Sequence, residues 1–258
     1  MKRAIIIVAL GLTYALSFGQ EVQKSFNIGS TKKVSVTADY PSVTIHQGSG
    51  SEMKVTGTFL FNGIPANDAV TFSWNSSTGT LNIESDIKKW EKLSEEERAK
   101  QIDKLDCEEI KEMWKKQKSN KYGGWNFEAE VAIWLPSTVS SLEVKSTYGG
   151  ITIEKAPKNT DVFNTYGPIE ASAANSFDSY KLISTYSSVT LNMPGSGKTD
   201  ISLQSNYGEI YTDLDFDINS EESTNKAYKT IIVGSLNNGG NSHIELCSDY
   251  SNVYLKKS

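Results

Sequence analysis

The chain has 258 residues, of which 38% are hydrophobic and 22% are charged, with only 6 prolines. This composition is typical of one or two folded domains and excludes a disordered or collagen-like chain. The 26 basic and 31 acidic residues give a net charge of −5, and the only arginines are Arg3 and Arg98. Nucleic acid is excluded as an expected partner, because its phosphates require clustered basic side chains.

The first 19 residues have the features of a cleaved signal peptide. Lys2 and Arg3 precede an apolar run that ends at Ala15, and small residues follow at Ser17 and Gly19. This order predicts a signal peptide over 1–19 and an exported protein. The run is shorter than the roughly 20 residues that span a bilayer, and no later segment is long enough, so we expect no membrane span.

One motif of eight residues organises most of the remaining chain. It occurs as ADYPSVTI, STYGGITI, NTYGPIEA, STYSSVTL, SNYGEIYT and SDYSNVYL, and its tyrosines are Tyr40, Tyr148, Tyr166, Tyr186, Tyr207 and Tyr250. From Tyr148 onward the tyrosines are separated by 18, 20, 21 and 43 residues. The last gap leaves room for a divergent copy, which Tyr228 with Ile231 and Val233 could supply.

Aliphatic residues alternate on both sides of each tyrosine. Val34 and Val36 precede Tyr40, Val43 and Ile45 follow it, and the other copies have equivalent pairs. A period of two predicts a strand with one buried face, so each copy is strand, corner, strand. Stacked copies predict an all-β fold, a parallel β-helix or β-solenoid with coils of about 18–21 residues over 20–84 and 122–258. An antiparallel β-sandwich is the alternative, although its strands rarely repeat one motif in the same phase.

Residues 85–121 differ from the repeats in composition. By count, 21 of these 37 residues are charged, and none is glycine or proline. This composition predicts a charged helical insert, with Ser94 and Glu97 as a capping box at a helix start. We expect the helix to pack its apolar stripe on a flank formed by Phe163, Ile183 and Cys247, and the alternative is a lid or partner-binding arm.

The repeated tyrosine motif, the segment VAIWLP at Val131–Pro136 and the glycine-rich tail GSLNNGGNSHIELCSDYSNVYLKK are the most specific features. Together they resemble the putative-adhesin domain family of exported β-strand-repeat proteins, over about Val22–Ser258 outside the insert. The resemblance implies a right-handed β-helix-like fold on a secreted, cell-surface or envelope protein. It implies no catalytic residues.

The six motif tyrosines are the candidate ligand-binding residues. If the coils stack in register, their rings form a ladder at one corner. One interpretation is a structural ladder that stabilises the stack through ring contacts, and the other is an exposed surface that contacts a sugar or a protein. The sequence leaves the exposure of the rings open. We predict a non-catalytic, adhesin-like module that contacts a glycan or a protein on a cell surface or in the envelope. The alternative is a carbohydrate-active enzyme, such as a polysaccharide lyase, on the same scaffold. Exposed strand edges also make self-association an expected property.

Other motifs carry less specific chemistry. Asp213, Asp215 and Asp217 lack the glycine and the glutamate of a calcium loop, so we expect a strand with outward carboxylates, and weak Ca²⁺ binding is the alternative. MPGSGKT lacks the first glycine of a phosphate-binding loop. With only His46 and His243, we predict no metal site and no cofactor. Cys107 and Cys247 allow one disulfide, and the sequence leaves open whether they pair.

Overall fold

The computed structural model describes residues 21–61, 64–88, 96, 100 and 127–258. These residues form an all-β fold with one short 3-10 helix at Asn67–Ala69, and four described residues of the predicted insert, Ile87, Lys88, Glu96 and Lys100, have α-helical backbone. Apart from Ser85–Lys88, Glu96 and Lys100, the insert predicted over 85–121 lies outside the described residues, as does the signal peptide predicted over 1–19. The strands are β1 (Val22–Asn27), β2 (Lys33–Ala38), β3 (Ser42–Gly48), β4 (Glu52–Phe61), β5 (Ile64–Pro65), β6 (Val70–Asn75), β7 (Thr80–Ser85), β8 (Phe127–Pro136), β9 (Ser141–Ser146), β10 (Ile151–Ile153), β11 (Asn159–Asn164), β12 (Ile169–Ser172), β13 (Ser179–Ser184), β14 (Val189–Met193), β15 (Thr199–Asn206), β16 (Ile210–Thr212), β17 (Asp217–Ile218), β18 (Thr224–Lys226), β19 (Lys229–Leu236), β20 (Ser242–Ser248) and β21 (Val253–Lys257).

The strands form two mixed sheets, here called sheet A and sheet B. Sheet A has the order β1-β4-β8-β3-β10-β12-β14-β21-β16, with β5 beside β4. Sheet B has the order β17-β19-β15-β20-β13-β11-β9-β2-β7-β6, with β18 beside β19. Each repeat contributes one strand to sheet B, turns at its tyrosine, and contributes the next strand to sheet A.

The repeats pair in parallel and in register within both sheets. Val144 pairs with Val162, and Val162 with Leu182, in sheet B, while Ile151 pairs with Ile169 in sheet A. Such pairing differs from that of an antiparallel sandwich, in which neighbouring strands run in opposite directions. A wholly parallel stack is also wrong, because β1, β4, β6 and β19 each make antiparallel pairs at the two ends of the sheets. These strands cover both edges of the parallel region in sheet B and one edge in sheet A, where parallel β16 forms the other edge.

Spatial order departs from sequence order near the C-terminal end. Strands β20 and β21, which flank Tyr250, lie between the repeats of Tyr186 and Tyr207. The divergent copy suggested for Tyr228 is wrong. Strand β19, which contains Ile231 and Val233, runs antiparallel to β15. Only Ala227 and Tyr228 separate β18 from β19, and a connection of two residues forces an antiparallel hairpin.

The core has the composition that the alternation predicts. Each aliphatic pair beside a motif tyrosine faces the space between the sheets, and these side chains are at most 1% exposed: Val34, Val36, Val43, Ile45, Leu142, Val144, Ile151, Ile153, Leu182, Val189, Leu191, Ile201, Leu203, Ile244, Leu246, Val253 and Leu255. Tyr180 occupies one such position. Its hydroxyl donates to the Ala156 carbonyl and accepts from the Ala174 N–H, and burial raises its pKa to about 12.

Leu246 tests whether the repeat around Tyr250 is an integral layer of the core. Its side chain is fully buried on β20, which pairs with β13 on one side and β15 on the other. We expect Leu246→Ala to lower the free energy of unfolding by about 2–5 kcal/mol in chemical denaturation, because it leaves a cavity between two sheets. Lys256→Ala, at an exposed position of the same repeat, is the control. Equal stability of the two variants would contradict this placement.

Candidate functional site: a tyrosine ladder

The structure brings all six motif tyrosines together in one column. The order is Tyr40, Tyr148, Tyr166, Tyr186, Tyr250 and Tyr207, with neighbouring ring centroids 4.9–5.3 Å apart and ring planes within 14° of parallel. We call this column the tyrosine ladder. Phe127 meets Tyr40 edge-on at one end, and Tyr228 packs on Tyr207 at 35° at the other end.

Backbone hydrogen bonds between neighbouring repeats continue through the corner and align the tyrosines. The Tyr166 N–H donates to the Thr147 carbonyl, and the Tyr186 N–H donates to the Thr165 carbonyl, both at 2.8 Å. Equivalent bonds join Tyr148 to Asp39 and Tyr250 to Thr185. Because neighbouring strands lie about 4.8 Å apart, this pairing sets the distance between the rings. The ring spacing of the ladder is therefore the strand spacing of the sheets.

Buried polar side chains form hydrogen bonds between neighbouring corners. Two residues before the tyrosine, Ser184 donates its hydroxyl to the Gly167 carbonyl of the neighbouring repeat and accepts from the Ser187 N–H of its own repeat, both at 3.2 Å. Ser248 makes the same pair of contacts to Ser187 and Ser251. Asn164, with a longer side chain, reaches the Gly149 carbonyl at 2.7 Å. These bonds explain the serine or asparagine of the motif.

Close approach explains the glycine that follows the tyrosine in three repeats. A Cβ atom on Gly149 would lie 1.9 Å from the Pro41 carbonyl oxygen, and one on Gly167 would lie 2.2 Å from that of Gly149. At the far end, Gly208 has the same relation to Ser251 at 2.2 Å. Tyr207 there has a φ of 61°, in the left-handed region that non-glycine residues rarely adopt.

The ladder faces solvent. The six side chains are 43–63% exposed, although their ring faces contact one another. Alternation alone does not predict this exposure, because the tyrosines lie in the corner between two strands. None of the ladder hydroxyls makes a hydrogen bond to another residue that the structure describes. The ladder therefore presents ring edges and phenol groups that have no hydrogen-bond partner in the described part of the chain.

A second tyrosine stack, which the sequence analysis missed, lies on the outer face of sheet A. Tyr211 and Tyr254 stack at 5.2 Å, and each occurs four residues after a motif tyrosine, a spacing that could have identified them. Both hydroxyls have local partners. Tyr211 donates to Glu209, which raises the pKa of Tyr211, and Tyr254 accepts from the Asn252 amide.

The predicted flank residues align on the outer face of sheet B. Phe163 pairs with Ile183, and Ile183 with Cys247, and all three are half-buried. The Cys247 thiol is free, and burial raises its pKa to about 11. Cys107 and the helix predicted to pack here lie outside the described residues.

The remaining sequence motifs are separated in space. His46 contacts Glu154 at 2.7 Å and stacks on Trp134, whereas His243 lies on sheet B. Asp213 accepts from the Lys257 N–H at 2.6 Å. The continuous strand expected over Asp213–Ile218 is wrong. Only Asp217–Ile218 is a strand, and Ile218 is 59% exposed, because the chain there pairs with β19 outside the core.

Acidic side chains also line a cleft of about 450 Å³ beside β19. Asp200, Asp217, Glu222 and His243 face it, and its described lining includes no lysine or arginine. Across the described residues, no group of three or more His, Cys, Asp or Glu side chains is arranged to hold a metal ion. The described residues also contain no helix with the length and apolarity needed to cross a membrane.

Comparisons with known proteins bear on the fold alone. No family model matches the sequence, and no curated protein matches it significantly. Among solved structures, the chain is similar to one described as a putative cell adhesion protein from Clostridium sporogenes, with a TM-score of 0.54 and 10% identity over 93% of this chain and 99% of that one. A putative adhesin from Bacteroides fragilis matches with a TM-score of 0.32 and 8% identity over 93% and 97%. The first match supports an adhesin-like fold, and family membership stays a prediction.

Gly149 and Gly150 form a matched pair for testing the close approach of the corners. In Gly149→Ala the new methyl group would lie 1.9 Å from the Pro41 carbonyl oxygen, whereas in Gly150→Ala its nearest contact would be the Pro168 ring at 3.4 Å. We expect the first variant to lose about 1–3 kcal/mol of unfolding free energy, or to fail to fold, and the second to change by less than about 1 kcal/mol. Thermal and urea unfolding measure both. Similar losses in both variants would contradict the contact.

Ser184 and Ser188 provide a second matched pair within one repeat. Ser184→Ala removes a hydroxyl with two buried backbone partners, and we expect it to cost about 1–3 kcal/mol of unfolding free energy. The Ser188 hydroxyl has no hydrogen bond among the described residues, so Ser188→Ala should be nearly neutral. Urea unfolding at pH 7 distinguishes them. A neutral Ser184→Ala would refute the structural role of these serines.

Proposed function

We propose that the protein is an exported, non-catalytic, adhesin-like module that binds a glycan or a protein through the tyrosine ladder. Its scaffold is a right-handed β-solenoid with additional antiparallel strands at both ends. Export follows from the signal peptide predicted over 1–19. Its place of action is the cell surface, the envelope or the medium.

The observation that carries the proposal is the exposure of six stacked tyrosines in one continuous column. Monomeric proteins expose single aromatic residues commonly, but a continuous exposed patch is typical of an interaction site. Tyrosine is also enriched at interfaces, because one side chain combines apolar area with a polar tip. The similarity in fold to a putative cell adhesion protein supports the same class of function.

The enzyme alternative has weaker support. A polysaccharide lyase on this scaffold would need a basic residue and carboxylates that converge in one groove. The acidic cleft beside β19 supplies carboxylates and His243, but its described lining has no lysine or arginine. We therefore favour binding at the ladder over catalysis in the cleft.

The central rings of the ladder test the proposed function. We expect the triple variant Tyr148→Ala, Tyr166→Ala, Tyr186→Ala to lose saturable binding to the partners that the wild type captures on a glycan and protein array. The three side chains are 49–51% exposed and stack consecutively, so the variant interrupts the exposed surface at its middle. Circular dichroism and thermal unfolding establish that the variant folds.

The matched control is the double variant Tyr211→Ala, Tyr254→Ala, which removes stacked tyrosines from the outer face of sheet A and leaves the ladder intact. It should bind as the wild type does. Unchanged binding by a folded triple variant, or equal loss in both variants, would refute the ladder as the binding surface.

A further inference from the structure

We propose that the ligand of the tyrosine ladder is an uncharged, linear glycan that lies along the column, with one sugar unit over each ring and hydrogen bonds to the phenol hydroxyls. This inference rests on the proposed function and specifies its ligand. It follows from the ring spacing, the occupied ring faces, the free hydroxyls and the charge of the surroundings.

The ring faces are unavailable to a ligand along most of the column. Tyr166 has Tyr148 on one face and Tyr186 on the other, at 5.1 and 5.0 Å between centroids. Inserting a sugar or an aromatic ring between two of them would need about 7 Å, twice the optimal carbon contact distance. A ligand must therefore lie across the ring edges, where it meets the hydroxyl groups.

Among the described residues, the ladder hydroxyls make no hydrogen bond within the protein. Those of Tyr148, Tyr166 and Tyr186 bond to no described residue, whereas the hydroxyls of the stack on sheet A bond to Glu209 and Asn252. Each phenol group donates one hydrogen bond and accepts others. A sugar hydroxyl has the same capacity, so a row of phenols can bind a row of sugar hydroxyls.

The spacing favours a glycan over an extended peptide. Neighbouring rings are 4.9–5.3 Å apart along the column. In an extended peptide, residues on one face repeat every 6.7 Å or so, and the mismatch grows with every repeat. One unit of an extended β-linked glycan has nearly the length of the ring spacing, so a glycan stays in phase along the whole column.

The charge of the surroundings favours an uncharged chain. The residues directly beside the three central tyrosines are Thr147, Thr165, Thr185, Gly149, Gly167 and Ser187, all of them uncharged. Further along the column two tyrosines have an acidic neighbour, Asp39 beside Tyr40 at one end and Asp249 beside Tyr250, the fifth of the six rings, and the whole chain has a net charge of −5. An anionic glycan would be repelled at these two rings.

The test is isothermal titration calorimetry with cello-, xylo-, manno- and chito-oligosaccharides of two to eight units. We expect one series to bind, with an affinity that rises at least tenfold between two and six units and levels off at about the number of rings, since each added unit contributes further hydrogen bonds. Polygalacturonate oligomers of equal length should bind at least tenfold more weakly.

The decisive variant is Tyr148→Phe, Tyr166→Phe, Tyr186→Phe, which keeps the stacked rings and removes only the hydroxyls. We expect it to unfold at the wild-type temperature and to bind the hexasaccharide at least tenfold more weakly, because three hydrogen bonds are lost. The double variant Tyr211→Phe, Tyr254→Phe is the matched control and should retain the wild-type affinity.

Three results would overturn the glycan proposal. The first is no saturable binding in any neutral series, the second is an affinity independent of length, and the third is full binding by the ladder phenylalanine variant.

If the alanine variant loses a protein partner on the array while no oligosaccharide binds, the ladder is a protein-binding surface. If sedimentation shows self-association that the ladder variants abolish, the occupant is a second copy of this chain. Retention of every array interaction by the folded alanine variant refutes the proposed function itself.

Discussion

The in-register parallel pairing of the repeats is the constraint on which the other features depend. It aligns equivalent residues of successive repeats, so each motif position becomes a column through the molecule. The same backbone bonds continue through the corner, where the tyrosine N–H of one repeat reaches a carbonyl of the next. Ring spacing, core layers and the row of buried serines all follow from this one repeat distance.

At this repeat distance, neighbouring corners approach closely and leave backbone groups without partners, and particular residues of the motif accommodate both. Gly149 and Gly167 avoid a collision with the neighbouring backbone. Ser184 and Ser248 satisfy backbone groups that the turn would otherwise leave unpaired inside the protein, where an unpaired polar group is costly. The glycine and serine of the motif thus allow corners to stack. The tyrosine side chain takes no part in the close approach of the backbones or in the buried hydrogen bonds.

The sequence predicted the core and the alignment of the tyrosines because both depend on local alternation and on the repeat. Val144, Leu182 and Leu246 are buried as the period of two requires. The spatial order of the repeats was not predictable, since the pattern around Tyr250 resembles that around Tyr207 and either fits beside Tyr186. The role suggested for Tyr228 was wrong because antiparallel β19 has the same alternation as a parallel strand. The exposure of the ladder depends on the direction of the corner, which periodicity does not define.

Stacking by itself does not explain why the ladder uses tyrosine. Phenylalanine rings would stack with the same geometry, and the hydroxyl adds nothing to a ring-to-ring contact. Elsewhere in the protein, tyrosine hydroxyls have local functions: Tyr180 bonds to buried backbone groups, and Tyr211 bonds to Glu209. In the ladder the hydroxyls have no such described partner. The hydroxyls make the exposed column less apolar. Serine or threonine at these positions would avoid an apolar patch altogether, because they expose no aromatic ring. Stacking of the rings holds the phenol groups in a row at the spacing of the strands. Such a row fits the proposed ligand, whose hydroxyl groups would form hydrogen bonds to the phenols at that spacing.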